Sequence, residues 1–245
     1  MKENEMIFGI RAIIEAIQAD KEIDKIIIKN DMQSEPAREL FAALKNKPHI
    51  QVQRVPMERI NRYTRKNHQG AIAFISQATY QRIDDIVPFL FENGKNPFII
   101  VLDGITDVRN FGAIARTAEC AGVDAIIIPV KGGATVNADA IKTSAGALHT
   151  IPVCKEKNLT DVVKFLKNCG IRVVAATEKS SKNYTEGNFS DPVAIVMGSE
   201  DTGVSPDIIR LCDEMVRIPI KGNISSLNVS VAAGVLMYET VRQRG

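Results

Sequence analysis

The chain has 245 residues, 45% hydrophobic and 24% charged, enough for one large domain or two small ones and wrong for a wholly disordered or coiled-coil chain. No uncharged apolar run approaches the roughly 18 residues of a membrane span, Met1–Glu5 leads into no signal-peptide core, and four dispersed cysteines without a CxxC pair suit neither a zinc site nor a disulfide framework, so no metal is expected and the cytoplasm is the expected compartment. The formal net charge of +2 is unevenly spread: residues 1–78 carry 13 Lys and Arg against 10 Asp and Glu, the remainder 18 against 19.

Residues 6–76 alternate helix and strand signals. Gly9 to Ala19 has apolar positions at helical spacing, and Ile23 to Lys29 reads as a buried strand. Ser34, with Glu35 and Pro36 behind it, predicts a helix through about Lys45. Ile50 to Val55 alternates as a strand, Met57 to Arg65 reads as a short basic helix, and Ala71 to Ser76 as another apolar strand. Between Lys45 and Lys66, seven cations face only Glu58. Such a cluster attracts a polyanion or decorates a solvated helix face, and composition leaves both open.

Residues 79–97 read as a linker, because Pro88 interrupts a short apolar stretch and Glu92 to Pro97 is rich in helix breakers. From Phe98 onward six strands recur at α/β spacing: Phe98–Asp103, Asp124–Pro129, His149–Val153, Ile171–Thr177, Val193–Gly198 and Met215–Ile220. Continuous apolar strands of this kind predict a mostly parallel sheet covered on both faces. Ligands of such sheets gather outside the strands' carboxyl ends, which directs attention to the loops after Asp103, Gly198 and Ile220.

In the first loop Asn110 occupies an expected helix N-cap, and Gly112 stands one turn before Arg116, leaving room for the guanidinium to reach back. In the second, a strand ends at Met197-Gly198, where the glycine permits close approach of a ligand; Glu200 follows, and Ser205-Pro206 opens the next helix. The third runs from Ile218 through Ser226, Leu227 and Asn228 into a helix to about Arg242 whose body is apolar nearly all round. A helix without a polar face is buried on every side, within one thick domain or against a second subunit. Glycine-rich dinucleotide and P-loop fingerprints are absent, which removes the main support for a nicotinamide-dependent dehydrogenase.

Together these loops resemble the three motifs of the SpoU/TrmH family of RNA ribose 2′-O-methyltransferases. Asn110, Gly112 and Arg116 match the first, Met197, Gly198, Glu200 and Gly203 the second, and Ile218 through Ser230 the third. With Asn67-His68-Gln69-Gly70 in the N-terminal part, the resemblance extends to nearly the whole chain. It implies a deep trefoil knot in residues 98–245, a homodimer formed through that domain, and an L30e-like RNA-binding domain over residues 1–78. S-adenosylmethionine is the implied methyl donor, held by Met197, Gly198, Ile218, Ser226 and Leu227. Arg116, Asn110, Glu200, Ser226 and Asn228 are the implied catalytic group, and Arg62, Arg65, Lys66, His68 and Gln69 the implied RNA contacts. The layout is most like members acting on a guanosine ribose of 23S rRNA; a tRNA-directed member and a non-catalytic RNA-binding scaffold are the alternatives. A guanidinium with a pKa above about 12 rarely surrenders its proton, so Arg116 is expected to stabilise charge on the 2′-oxygen or grip a phosphate while another group accepts the proton.

Overall fold

The computed structural model describes residues 6–245, so the reading of Met1–Glu5 lies outside the described residues. Two compact units divide the chain between Thr79 and Tyr80.

The first unit contains β1 (Met6–Phe8), α1 (Ile10–Gln18), β2 (Ile23–Lys29), α2 (Glu35–Leu44), β3 (Gln51–Val55), α3 (Met57–Asn61) and β4 (Ala71–Ile75). Its sheet has the order β1-β4-β2-β3, with β2 and β3 parallel and the other pairs antiparallel. Ile10, Ile13, Ile14 and Ile17 form one stripe of α1 and pack with Leu40 of α2 against Ile26 and Ile28. Ile60 of α3 meets Ile27, Val55 and Ile72 on the opposite face, so β2 is buried on both sides along its apolar Ile26–Ile28 stretch. The expected basic helix is shorter than its sequence suggested, ending at Asn61. Ser34 stands at the N-cap of α2, yet its side chain makes no capping hydrogen bond.

The second unit begins inside the expected linker. Strand β5 (Tyr80–Gln81) pairs with β8 (Val153–Glu156) at the sheet edge, and α4 (Ile83–Glu92) follows. The segment 79–97 is therefore largely part of the folded unit. Ile83, Ile86, Val87 and Leu90 keep helical spacing through Pro88 and enter the core. Burying such side chains contributes about 1.5–3 kcal/mol each, enough together to offset the roughly 3 kcal/mol cost of an interior proline.

The remaining elements are β6 (Phe98–Asp103), α5 (Val108–Cys120), β7 (Ala125–Pro129), α6 (Ala138–Thr143), α7 (Leu159–Asn168), β9 (Arg172–Ala176), β10 (Val193–Gly198), α8 (Pro206–Ile209), β11 (Glu214–Val216) and α9 (Val229–Arg244). The seven strands run in the order β11-β9-β10-β6-β7-β8-β5, every described pair parallel. Helices α4, α7 and α8 share a core with one face of the sheet. On the other side α5 packs against α6 and α9, and α9 against β10. Two expected strands are corrected. His149 closes a 3-10 turn, Ala147–His149, that follows left-handed Gly146, and β8 starts only at Val153. Strand β11 stops at Val216 and Arg217 only bridges to Asn183, leaving Ile218 to Leu227 as an open loop.

Candidate functional site

The sheet reverses its build direction between β6 and β10. From β6 the chain adds β7 and β8 on one side, then crosses to place β9 and β10 on the other. Gly198 at the end of β10 lies beside Asp103 at the end of β6. Such a switch point opens a crevice at the carboxyl ends of the strands. Asp103 ties the two loops together there, its carboxylate accepting a hydrogen bond from the Ser205 backbone N–H at 2.7 Å.

Helix α5 starts earlier than expected. Asp107 is its N-cap, accepting from the N–H groups of Arg109 and Asn110 at 2.7 and 2.9 Å. Asn110 is thus the third helical residue, and its amide is released from capping. It donates to Glu200 Oε1 at 3.2 Å and accepts from Asn228 Nδ2 at 3.0 Å. Asn228 Nδ2 also donates to Glu200 Oε1 at 2.9 Å, and the Val229 N–H donates to the same oxygen at 3.3 Å. Asn228 Oδ1 meanwhile caps α9 through the Ser230 N–H at 2.9 Å. One carboxylate oxygen therefore gathers three loops, across sequence separations of 90 and 28 residues.

Two of the motif glycines, Gly198 and Gly112, are explained by close packing. A Cβ on Gly198 would lie 2.0 Å from the Gly203 carbonyl carbon and 2.1 Å from the Val204 nitrogen. The loop folds back on its own origin, with Ser199 and Gly203 forming a bridge, so the glycine is required before any ligand arrives. A Cβ on Gly112 would lie 2.7 Å from Thr143 Cβ and 2.9 Å from the Ala140 carbonyl oxygen. Its absence admits α6 against α5, which replaces the expectation that it clears a path for Arg116.

The crevice encloses a cavity of about 390 Å³, within the range of small-molecule sites. Met197, Gly198, Ile218, Ser226 and Leu227, all named from the sequence, line it together with Glu200. Glu178, Lys179 and Asp201 line it as well and were missed, because no motif flags them. Three carboxylates against one lysine suit a cationic ligand such as a sulfonium. Among the described residues, Ile218 to Leu227 form no backbone–backbone hydrogen bond, so their N–H and C=O groups remain available for a ligand.

Arg116 is not brought to the cavity. It is exposed on α5, six residues beyond Asn110 and so about 9 Å further along the axis. No hydrogen bond or ion pair engages it among the described residues. In the first unit Arg62 and Arg65 are exposed, as is Gln69, whose φ is +49°. Lys66 lies 5.3 Å over the Phe8 ring. His68, expected as an RNA contact, is only 8% exposed. Its Nδ1 accepts from the Gly70 N–H at 3.1 Å, which leaves Nε2 as the protonated nitrogen donating to Asn61 Oδ1 at 2.9 Å. Both nitrogens are spent on holding the turn before β4, so direct RNA contact by this imidazole is corrected to a structural pin.

Known proteins resemble this chain over nearly its whole length. Residues 97–238 match the model of the SpoU rRNA methylase family, and residues 6–81 match that of RNA 2′-O ribose methyltransferase substrate binding. The 23S rRNA (guanosine-2′-O-)-methyltransferase RlmB of Photobacterium profundum is 33% identical over 243 residues, covering 98% of each chain. A TrmH family tRNA/rRNA methyltransferase of Staphylococcus saprophyticus is 36% identical over 242 residues, covering 99% of this chain and 97% of the relative. Among solved structures, the AdoMet-bound rRNA methyltransferase of Sinorhizobium meliloti superposes with a TM-score of 0.61 at 26% identity, over 97% of this chain and 87% of that one. Full-length similarity of this kind, with the first model spanning more than half of the residues, means that the chain belongs to the SpoU family of RNA methyltransferases.

Proposed function

We propose that this enzyme methylates a ribose 2′-oxygen of structured RNA, a guanosine of 23S rRNA, with S-adenosylmethionine as donor. The observation that carries the proposal is the convergence of Asn110 and Asn228 on Glu200, whose side chain lines the cavity at the switch point. When bound, the donor supplies an electrophilic methyl on a sulfonium. Met197, Ile218 and Leu227 offer it apolar contact, while the Gly198 turn and the Ser226 loop offer backbone groups. The protein's task is then alignment of the hydroxyl and control of its charge and proton. Asn110 and Asn228 hold the Glu200 carboxylate, Ser226 orients the ribose, and Arg116, unpartnered in the free protein, meets the RNA phosphate or the developing oxyanion.

Residues 1–78 are the RNA-binding domain, of L30e type, in this reading. The support is the match to the substrate-binding family and the exposed Arg62, Arg65 and Gln69 around the turn that His68 pins. Residues 98–245 carry catalysis, with the chain after β11 returning across the strand ends to form a trefoil knot. Two copies pair through the apolar surface of α9, and the cytoplasm, where ribosomal RNA is processed, is the place of work.

The deciding experiment supplies radiolabelled donor with 23S rRNA and with tRNA, both from cells lacking the gene. Label at one ribose of 23S rRNA supports the proposal, whereas label confined to tRNA replaces its substrate. A chain that gives no calorimetric heat with S-adenosylmethionine is the non-catalytic scaffold.

A further inference from the structure

We propose that Glu200 is the catalytic base, its Oε2 receiving the proton of the ribose hydroxyl. This assignment rests on the methyl-transfer reading and names the acceptor that reading lacks.

Oε1 of Glu200 is fully committed, taking the Asn110 amide, the Asn228 amide and the Val229 N–H. No donor among the described residues reaches Oε2, on a side chain that lines the cavity. A general base must be both held in place and open to its proton, and three anchors on one oxygen with none on the other provide that combination. Glu178 and Asp201 also line the cavity. Neither is held by a side-chain hydrogen bond or an ion pair among the described residues, so neither is fixed in a productive position. No histidine is among the residues that line the cavity. Arg116 and Lys179 are cations and serve charge rather than proton acceptance.

The step balances. The 2′-oxygen forms its bond to the methyl carbon as its proton passes to Oε2. The carbon–sulfur bond breaks with its electron pair remaining on sulfur, giving a neutral thioether. The protonated carboxyl then returns the proton to water.

Single-turnover rates with saturating donor and RNA are measured from acid to alkaline pH for the wild type, Glu200→Gln, Glu200→Asp and Asn110→Ala, with donor affinity measured separately by calorimetry. The wild-type rate falls with unit slope on the acid side, as a reaction that needs one general base does. Glu200→Gln loses about 10²- to 10⁴-fold near neutrality, as expected for removal of a general base. It also loses the acid limb and gains rate with rising pH as solvent takes over; saturating donor, set from the calorimetric affinity of each variant, keeps any loss of donor binding out of this rate. Glu200→Asp keeps the acid limb at reduced rate. Asn110→Ala, which removes an anchor and no base, lowers the rate without changing the shape of the profile. A Glu200→Gln enzyme that keeps the wild-type acid limb, or a rate within tenfold of wild type, overturns the assignment. A wild-type chain that binds no donor overturns both this assignment and the methyl-transfer reading beneath it.

Discussion

Replacing Gly198 by alanine tests whether that position serves the fold or only a ligand. The added Cβ would meet three backbone atoms, the Gly203 carbon at 2.0 Å, the Val204 nitrogen at 2.1 Å and the Gly203 oxygen at 2.4 Å. None belongs to a flexible side chain that can rotate away, so the loop must move by more than 1 Å to reach ordinary contact. Overpacking of this sort costs about 1–3 kcal/mol, occasionally more, whereas leaving glycine in a strand returns only about 0.5–1 kcal/mol. The net loss is about 1–2 kcal/mol, or about 2–8 °C in Tm for a unit of this size. The same movement breaks the Ser199–Gly203 bridge and displaces Glu200 from its three donors, so donor affinity falls at least about 100-fold, the equivalent of about 2.7 kcal/mol. Thermal unfolding of the ligand-free protein and calorimetry with S-adenosylmethionine measure the two effects separately. Ligand-free stability equal to wild type would refute the backbone-crossing explanation, even with affinity lost, because a glycine kept only for a ligand costs nothing in its absence.

Arg116→Lys should lower kcat by about 10- to 100-fold, since a point charge replaces a planar fork, and should leave donor affinity unchanged; wild-type turnover would remove this residue from the mechanism. Arg62→Ala and Arg65→Ala should each weaken RNA binding and reduce the slope of log affinity against log salt by about 0.7–0.9, measured by filter binding from 50 to 200 mM salt. Glu239 is buried in α9, and the hydrogen bonds from the Arg242 guanidinium hold its carboxyl below the ordinary value of 4.5. Its stabilisation is therefore present above that value and fades as pH falls through the depressed one. Glu239→Gln should cost about 1 kcal/mol at pH 7, moderated because Arg242 is largely exposed, and chemical denaturation at stepped pH should show the gap closing on the acid side.

What the sequence reveals depends on whether a contact is local. Strand β10, and the Ile26–Ile28 stretch of β2, announce themselves because burial on both faces demands apolar residues in succession. Helix α4 is equally readable in its 83, 86, 87, 90 spacing, and burial of those four side chains outweighs the helix-breaking signal of Pro88 on which the linker reading rests. Asn110 was recognised and misassigned: Asp107 is the better cap on position alone, and only with the cap supplied does the Asn110 amide become free for Glu200. His68 looked like a loop histidine because nothing local shows that Asn61 and Gly70 close around it. Glu178 and Lys179 were invisible for a different reason. They follow β9, and β9 reaches the cavity only because the sheet inserts β10 between it and β6, an ordering that periodicity does not encode.

Helix α9 links an exposed apolar stripe to the candidate site. Its N-cap, Asn228, is part of the Glu200 network, while Leu236 and Met237 are buried in its own unit. Val231 and Tyr238 are seven residues apart on one stripe, each 53% exposed, and Val241 extends the same surface. Exposed apolar side chains at helical spacing mark an interaction surface more often than a solvated one, and a second copy brings an identical stripe related by twofold symmetry. Covering it would hold α9 in place, and with it the Asn228 end that supports the carboxylate. Val231→Asp removes little from the isolated fold, because the side chain already faces solvent and such changes usually stay within about 0.5 kcal/mol. In a symmetric pair it introduces a charge into each copy's contact, where burial without a partner is prohibitive. Sedimentation velocity should then show the wild type at twice the mass of the variant, with donor affinity weakened in the variant although no cavity residue has changed. Equal masses for the two proteins would refute pairing through this stripe; a monomeric variant with full donor affinity would keep the pairing and sever its link to Glu200.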